Sequence, residues 1–456
     1  MIKKIIASLE YLFVILSLIL YTGGVLDIVA IDGFSEGDGV YNMTISANEK
    51  LFVVKQILFY VTYIISSILL MRMSDKSTKI TIIFLRNIHV SLLVGLTVIS
   101  TIWSELPAQT ISRSIALVGT TIFGIYLANR YTLKEQLILL RNTFLAIVIL
   151  SIVFVIAIPQ YGVMGAIHDG AWRGIYTHKN ELGRLMSLGA IVFSMQSRQE
   201  GETKIIGLKS RSIGKLKQYI PTGTMRDSFL QSAFTLLGLG ATIAMILLSR
   251  SSGGIVNLTI MASALAIFKI SQLRGFHLKF VSIIGVVVLL VILVVIILPN
   301  PELIFALIGK SSDLTGRGDL WNVLLDLLSS RPLLGFGYGV FWESYGAIVS
   351  LAVAWDVPHA HNGFLDLTLG VGLLGLALFS ISYLSTFAKS LAQFRSSQSD
   401  ESIYPSIILI YIVISNVSET GLFSYNNIYW LLFVTVSHSM ILSTKKNILP
   451  PNPQFF

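Results

Sequence analysis

Two polar stretches of this chain hold side-chain types that can do chemistry together. The longer runs over residues 299–362 and contains Arg317, the spaced glycines Gly335, Gly337 and Gly339, and the run His359-Ala-His361-Asn362. The shorter covers residues 160–181 and ends in AWRGIYTHKNELGR, which brings Arg173, His178, Lys179 and Asn180 to the head of an apolar segment. Guanidinium groups are permanently charged, planar donors that match phosphate oxygens. An imidazole is the usual proton acceptor near neutral pH. His361 and Asn362 open a predicted helix, where free backbone N–H groups and the positive dipole end favour an anion. The combination suits a phosphate-bearing donor and a hydroxyl acceptor. One arginine–phosphate contact at about 4 Å contributes about 4 kcal/mol at an effective dielectric of 20, so two can offset charge on a departing diphosphate without magnesium.

Plainer readings stand beside these. Arg173 can sit in lipid headgroups, with Asn180 capping the next helix. Arg317 precedes GDLWNVLLDLL, in which Leu320, Leu324, Leu327 and Leu328 share one helical face, as in an interfacial helix. Gly335-Phe-Gly-Tyr-Gly lacks the spacing and the strand–helix context of a nucleotide fingerprint and reads as a flexible turn. His359 and His361 could start a zinc site, but the sequence shows neither a third ligand nor supporting groups, so no metal and no cofactor is expected.

The elements that must position these groups are apolar. The chain has 456 residues, 54% hydrophobic and 12% charged, about half the charge of a soluble domain, which carries about 25%. Apolar runs near 20 residues long are what a helix needs to cross a bilayer, and no ten-residue alternation of a β-barrel appears. The sequence therefore predicts an all-α integral membrane protein forming one polytopic domain over residues 1–456. Predicted spans begin with residues 5–25, read as a first span rather than a removed leader, and 51–71. A third reaches Trp103, a fourth ends near Arg130, and others cover residues 143–158, 182–197, 229–248, 255–270, 280–298, 363–387, 403–417 and 429–442, about twelve in all. The net charge of +9 comes from lysines and arginines in alternate loops, such as Arg198, Lys204, Lys209, Arg211, Lys215, Lys217 and Arg226. This is positive-inside patterning rather than a nucleic-acid surface; it places both termini in the cytoplasm and loops 160–181 and 299–362 outside. The tryptophans, leucines and spaced glycines of the long loop predict an ordered, partly helical lid. With no cysteine, disulfides and thiolate chemistry are excluded.

In order and spacing, WSELPAQTISRS (103–114), RGIYTHKNELG (173–183), LSRSSG (248–253), Gly316-Arg317 followed by LW, RPLLGFGYGVF (331–341) and HNGFLDLTLGVGLLGL (361–376) resemble the O-antigen ligase and polysaccharide polymerase superfamily over most of the chain. The resemblance implies a glycosyltransferase-C-type membrane fold in a bacterial inner membrane. It implies a metal-independent, inverting glycosyltransferase with an undecaprenyl-diphosphate-linked glycan donor and a glycan or glycolipid acceptor, working at the periplasmic face. Carried over residue by residue, Arg173 and Arg317 grip the diphosphate and His361 accepts the proton. His178, Asn180, Arg250 and Asn362 fall in the same motifs and are assigned to substrate binding. His359 has no counterpart in the family pattern, so either histidine can be the base.

Within the superfamily, the THKN motif leans toward a polymerase of exopolysaccharide or O-antigen repeat units; a ligase moving the glycan to lipid A core is the alternative. A twelve-span lipid or polysaccharide flippase is the rival from another class. It would place its charges near mid-membrane in broken helices, whereas these arginines and histidines cluster at helix ends.

Overall fold

The computed structural model describes residues 2–24, 49–73, 87–165, 168, 170–210, 225–273, 317–397 and 399–448. The predicted span 280–298 and the first part of the long loop, 299–316, lie outside the described residues.

Every regular element among the described residues is a helix, apart from one isolated antiparallel bridge, Val163–Trp172. Besides the short turns Ser100–Ile102 and Pro159–Gly162, these are in chain order α1 (Ile2–Tyr21), α2 (Glu49–Met73), α3 (Ile88–Ile99), α4 (Pro107–Arg130), α5 (Leu133–Ala157), α6 (Lys179–Ser210), α7 (Met225–Leu248) and α8 (Ser252–Ser271). There follow α9 (Arg317–Ser329), α10 (Phe341–Val353), α11 (Gly363–Ser397), α12 (Asp400–Val417) and α13 (Ile428–Ile448). Five of them are long and apolar enough to cross a membrane: the Val53–Met73 part of α2, α4, α5, α8 and α11. Shorter apolar helices include Ile5–Tyr21, Ala233–Leu248 and Ile428–Leu442. Large apolar side chains stay uncovered on outer faces, such as Leu9, Leu12 and Leu16 of α1 and Ile57, Ile64 and Ile68 of α2. Lipid tails cover such a face at no hydrophobic cost.

Local chemistry sets the helix starts. Thr132 and Glu135 form a capping box at the head of α5, Pro107 occupies the first turn of α4, and Ser251 accepts the Gly254 N–H at 3.1 Å to cap α8. The α6 and α8 backbones nearly touch where Gly183 meets Gly254; a Cβ on Gly254 would stand 2.8 Å from the Gly183 Cα.

Helix α11 is broken. Val371 and Gly372 leave helical geometry, and Gly372 takes φ +68°. In a continuous helix the Leu369 and Gly370 carbonyls would accept from Leu373 and Leu374. Here those carbonyls accept from Phe336 N at 2.8 Å and Gly337 N at 3.0 Å, while Leu373 N and Leu374 N donate to the Pro332 and Leu333 carbonyls at 2.8 and 3.2 Å. Two intrahelical bonds are thus exchanged for four bonds to the loop 332–337. That loop was expected to be a flexible turn; it is a bonded partner of the break. It also reaches the distant WSELP motif. Trp103 Nε1 donates to the Leu334 carbonyl at 3.2 Å, and Glu105 pairs with Arg331 at 3.0 Å and accepts from the Tyr345 hydroxyl.

The long loop is partly helical, as expected, through α9 and α10. Leu320, Leu324 and Leu328 of α9 are buried in a small second core with Phe336, Phe341 and Leu369, and Leu327 packs against it. Gly372→Ala should be among the most damaging single substitutions. A Cβ there would lie 2.1 Å from the Leu333 carbonyl oxygen, on backbone that side chains rarely adopt. The expected outcome is a loss of more than about 2 kcal/mol or failure to accumulate folded protein. Gly253→Ala, whose Cβ meets nothing within 4 Å, should leave detergent-solubilised thermal unfolding nearly unchanged.

Candidate functional site

The polar residues come together where the end of α12, the heads of α6, α9, α11 and α13, and the turn before α11 meet. Arg317, at the start of α9, donates from Nη1 to the Ser418 carbonyl at 2.9 Å. Its Nη2 lies 4.0 Å from Glu419 Oε1. The other Glu419 oxygen stands 3.8 Å from His361 Nδ1, an occluded nitrogen with no hydrogen bond among the described residues. Glu419 therefore lies between the arginine and the histidine.

Arg184 adds a second cation, one turn into α6. Its Cζ lies 5.8 Å from the centroid of the Tyr429 ring. Its Nε and Nη1 are occluded and have no hydrogen-bond partner among the described residues. Burial acts to raise the Glu419 carboxyl, but the facing His361 ring and the Arg184 charge outweigh it and hold the group down to about 2. His359 is driven the other way from a protonated ring: burial first, then the neighbouring His361, lower it to about 3. His359 is thus neutral at pH 7. The two rings stand 4.2 Å apart, centroid to centroid, edge to face.

His361 is held in left-handed backbone at φ 49°, which costs a non-glycine residue about 1–3 kcal/mol. Its neighbours fix it there. The Ala360 carbonyl accepts from Trp321 Nε1 at 2.9 Å, and the Ala360 N–H donates to Asp366 at 3.3 Å. Asn362 Oδ1 accepts the Phe364 and Leu365 amides at 3.0 and 3.1 Å, so Asn362 is the cap of α11. Asp366, one turn into α11, also accepts from Trp342 Nε1 of α10 at 2.8 Å and from the Thr420 hydroxyl. One carboxylate thereby ties together α10, α11, the histidine turn and the residue after Glu419.

The remaining expected residues surround the head of α6. Arg173 is buried, 2% exposed, and donates to the Tyr161 and Gln160 carbonyls at 2.9 and 2.8 Å. Those bonds fold the 160–178 turn, which also carries Arg173 N and Gly174 N to the Gly162 carbonyl. His178 Nδ1 accepts the Asn180 N–H at 3.2 Å, and its ring packs edge-on to His168 at 5.6 Å. The Asn180 side-chain oxygen is occluded with no hydrogen bond among the described residues. Arg250 stands in left-handed backbone at φ 49° between α7 and α8, and its carbonyl accepts from Lys179 Nζ at 3.2 Å. Arg317, His361 and Asn362 therefore share one neighbourhood, with Arg184 and Glu419 added. Arg173, His178, Asn180 and Arg250 shape the adjoining α6–α8 corner.

Sequence reasoning passed over Arg184, Asp366 and Glu419. Arg184 ends the THKNELGR run and Asp366 lies in HNGFLD, so both were in view. Nothing local marked Glu419, whose partners are distant in sequence.

Residues 237–380 match a family model described as O-Antigen ligase. The matched stretch is less than half of the chain. It takes in Arg250, Arg317, His361 and Asp366, and it leaves Arg184 and Glu419 on either side. Among curated proteins, the chain is 30% identical over 105 residues to "Exopolysaccharide production protein ExoQ" of Rhizobium meliloti (strain 1021), a match covering 22% of this chain and 24% of that protein. The chain thus spans about a quarter of the length of the curated relative it matches. These two matches bear out the resemblance read from the motifs.

The site yields a stability prediction. Asp366→Ala leaves the Trp342 indole, the Thr420 hydroxyl and the Ala360 amide without their acceptor. Expected is a loss of at least about 3 kcal/mol, read as earlier thermal unfolding. Asp366→Asn, which keeps one acceptor oxygen, should fall between.

Proposed function

We propose that this chain is a metal-independent, inverting glycosyltransferase acting on an undecaprenyl-diphosphate-linked glycan at the periplasmic face of a bacterial inner membrane. The observation that carries the reading is Glu419 set between His361 Nδ1, at 3.8 Å, and Arg317, at 4.0 Å, with Arg184 nearby. On this reading about twelve spans form a glycosyltransferase-C-type body, both termini are cytoplasmic, and the long loop closes the mouth. Five helix ends meeting at the site support transfer at an interface over transport through the bilayer centre.

The acceptor's hydroxyl oxygen attacks the anomeric carbon of the donor sugar. Its C–O bond forms as the bond to the lipid diphosphate breaks, the configuration inverts, and the hydroxyl proton passes to His361. Glu419 beside Nδ1 favours the tautomer protonated there, which leaves Nε2 to take the proton. The negative carboxylate then stabilises the imidazolium that forms. Such general-base help contributes about 10²–10⁴-fold. Arg317 and Arg184 meet the leaving diphosphate, whose low basicity removes the need for a separate acid. Arg173 acts one step back, folding the 160–178 turn over the head of α6, while His178, Asn180 and Arg250 line the donor side. Asn362 acts as the cap that aims His361.

Polymerisation of repeat units is the favoured activity over ligation, because the matching relative carries the words "exopolysaccharide production". In a deletion strain, single lipid-linked repeat units should accumulate. Long finished chains stranded on the carrier would instead identify a ligase, and a normal lipid-linked pool would defeat both.

Purified variants test the residues. His361→Ala, Arg184→Ala and Arg317→Ala should each lower turnover at least about 100-fold in folded protein. Arg317→Lys should fail to restore it, because lysine cannot present the planar fork. His359→Ala should retain far more transfer than His361→Ala; the reverse ranking would move the base to His359.

A further inference from the structure

Two histidines alone did not make a metal site in the sequence; the fold supplies the third group. His359, His361 and Glu419 each present one ligating atom, and these atoms lie within 4.8 Å of one another. Two imidazole nitrogens and one carboxylate oxygen are a known donor set for zinc with an open fourth position. We propose that His359, His361 and Glu419 form a transition-metal site, suited to zinc, whose occupancy ties up the imidazole that the transfer reaction needs. The proposal rests on the transferase reading only for that consequence; the site stands on geometry.

Around a tetrahedral zinc the ligand atoms stand roughly 3.3 Å apart. His361 Nδ1 and Glu419 Oε2, at 3.8 Å, are within a small side-chain rotation of that separation. His361 Nδ1 makes no hydrogen bond among the described residues, so the metal displaces none of its contacts. His359 Nδ1 accepts the His361 N–H at 3.3 Å, and a neutral ring has one lone pair to give, so metal binding exchanges that single weak bond for a bond to the metal. Glu419 supplies the anionic ligand. Arg184 and Arg317 oppose a cation here, so binding should be weaker than at a closed structural zinc site, reversible, and favoured when an anion shields the guanidiniums. With the metal on the Nδ1 lone pair the ring proton sits on Nε2, leaving His361 unable to receive another. Zinc is then an inhibitor of a reaction that runs without it.

The test uses the full chain in lipid nanodiscs and zinc chloride alone as the probe. Titration should show one chelator-reversible zinc per chain, and bound zinc should protect His361 from modification by diethyl pyrocarbonate, read by mass spectrometry. His359→Gln should weaken zinc binding at least tenfold while its transfer activity becomes zinc-resistant. Should that variant not fold, Glu419→Gln must show the same loss of binding. No stoichiometric binding in the parent protein, or equal binding in both variants, overturns the site. Zinc that raises turnover overturns the inhibitory role. If the parent transfers no glycan even with chelator present, the transferase reading fails, and binding with His361 protection still decides the metal site.

Discussion

The Asp366 carboxylate is the constraint from which the site follows. It takes donors from α10, the histidine turn and Thr420, three segments that the chain reaches separately. A half-buried carboxylate bonded by one donor would be costly; bonded by three, it becomes a fixed point. Thr420 follows Glu419 directly, and Ala360 precedes His361 directly. Fixing both neighbours fixes the Glu419–His361 pair without either member being tied to Asp366. That indirection matters chemically, because it leaves the imidazole and the Glu419 oxygens with open coordination while their backbones are held.

The broken helix serves the same end. A membrane helix normally satisfies its own backbone, and an unpaired amide in hydrocarbon costs several kcal/mol. Breaking α11 at Val371–Gly372 is tolerable because loop 332–337 supplies matching donors and acceptors. The loop thereby docks on the break, with Gly335, Phe336 and Gly337 buried and Pro332, Leu333 and Leu334 exposed. It is tied on its other side to Trp103, to Glu105 through Arg331, and by Arg113 to the Gly339 carbonyl. The first turns of α11, which carry Asn362 and Asp366, are set by this dock.

How much of this was legible follows from the range of each interaction. Helix class, the amphipathic face of α9 and the helix start at His361–Asn362 depend on residues a few positions apart, so periodicity and residue type revealed them. The pairing of WSELP with the glycine loop joins segments more than 200 residues apart, and no local pattern encodes such a meeting. Arg173 and Arg184 show the limit most clearly. Both flank the THKN motif, both are arginines near a helix head, and the motif made Arg173 the conspicuous one. Packing distinguishes them: Arg173 spends donors on the carbonyls of its own turn, while Arg184 reaches across to Tyr429 and the neighbourhood of Glu419. Glu419 carried no sequence signal, since a lone glutamate between two apolar helices reads as an ordinary loop residue.

Glu419 also shapes what the cations can do. At 4.0 Å its link to Arg317 is an ion pair too long for a hydrogen bond, worth about 4 kcal/mol at an effective dielectric of 20 before desolvation is subtracted. A diphosphate offers more oxygens and more charge than one carboxylate, so on the proposed reading it can draw Arg317 away from Glu419 as it enters. Glu419 then faces His361 with one cation fewer beside it. On that reading the exchange couples donor arrival to the base: the carboxylate that had been shared with Arg317 becomes more available to stabilise an imidazolium. A site with the arginines and the histidine but without Glu419 would bind the same anion. It would leave the proton on the incoming hydroxyl harder to remove at the moment the diphosphate is ready to leave.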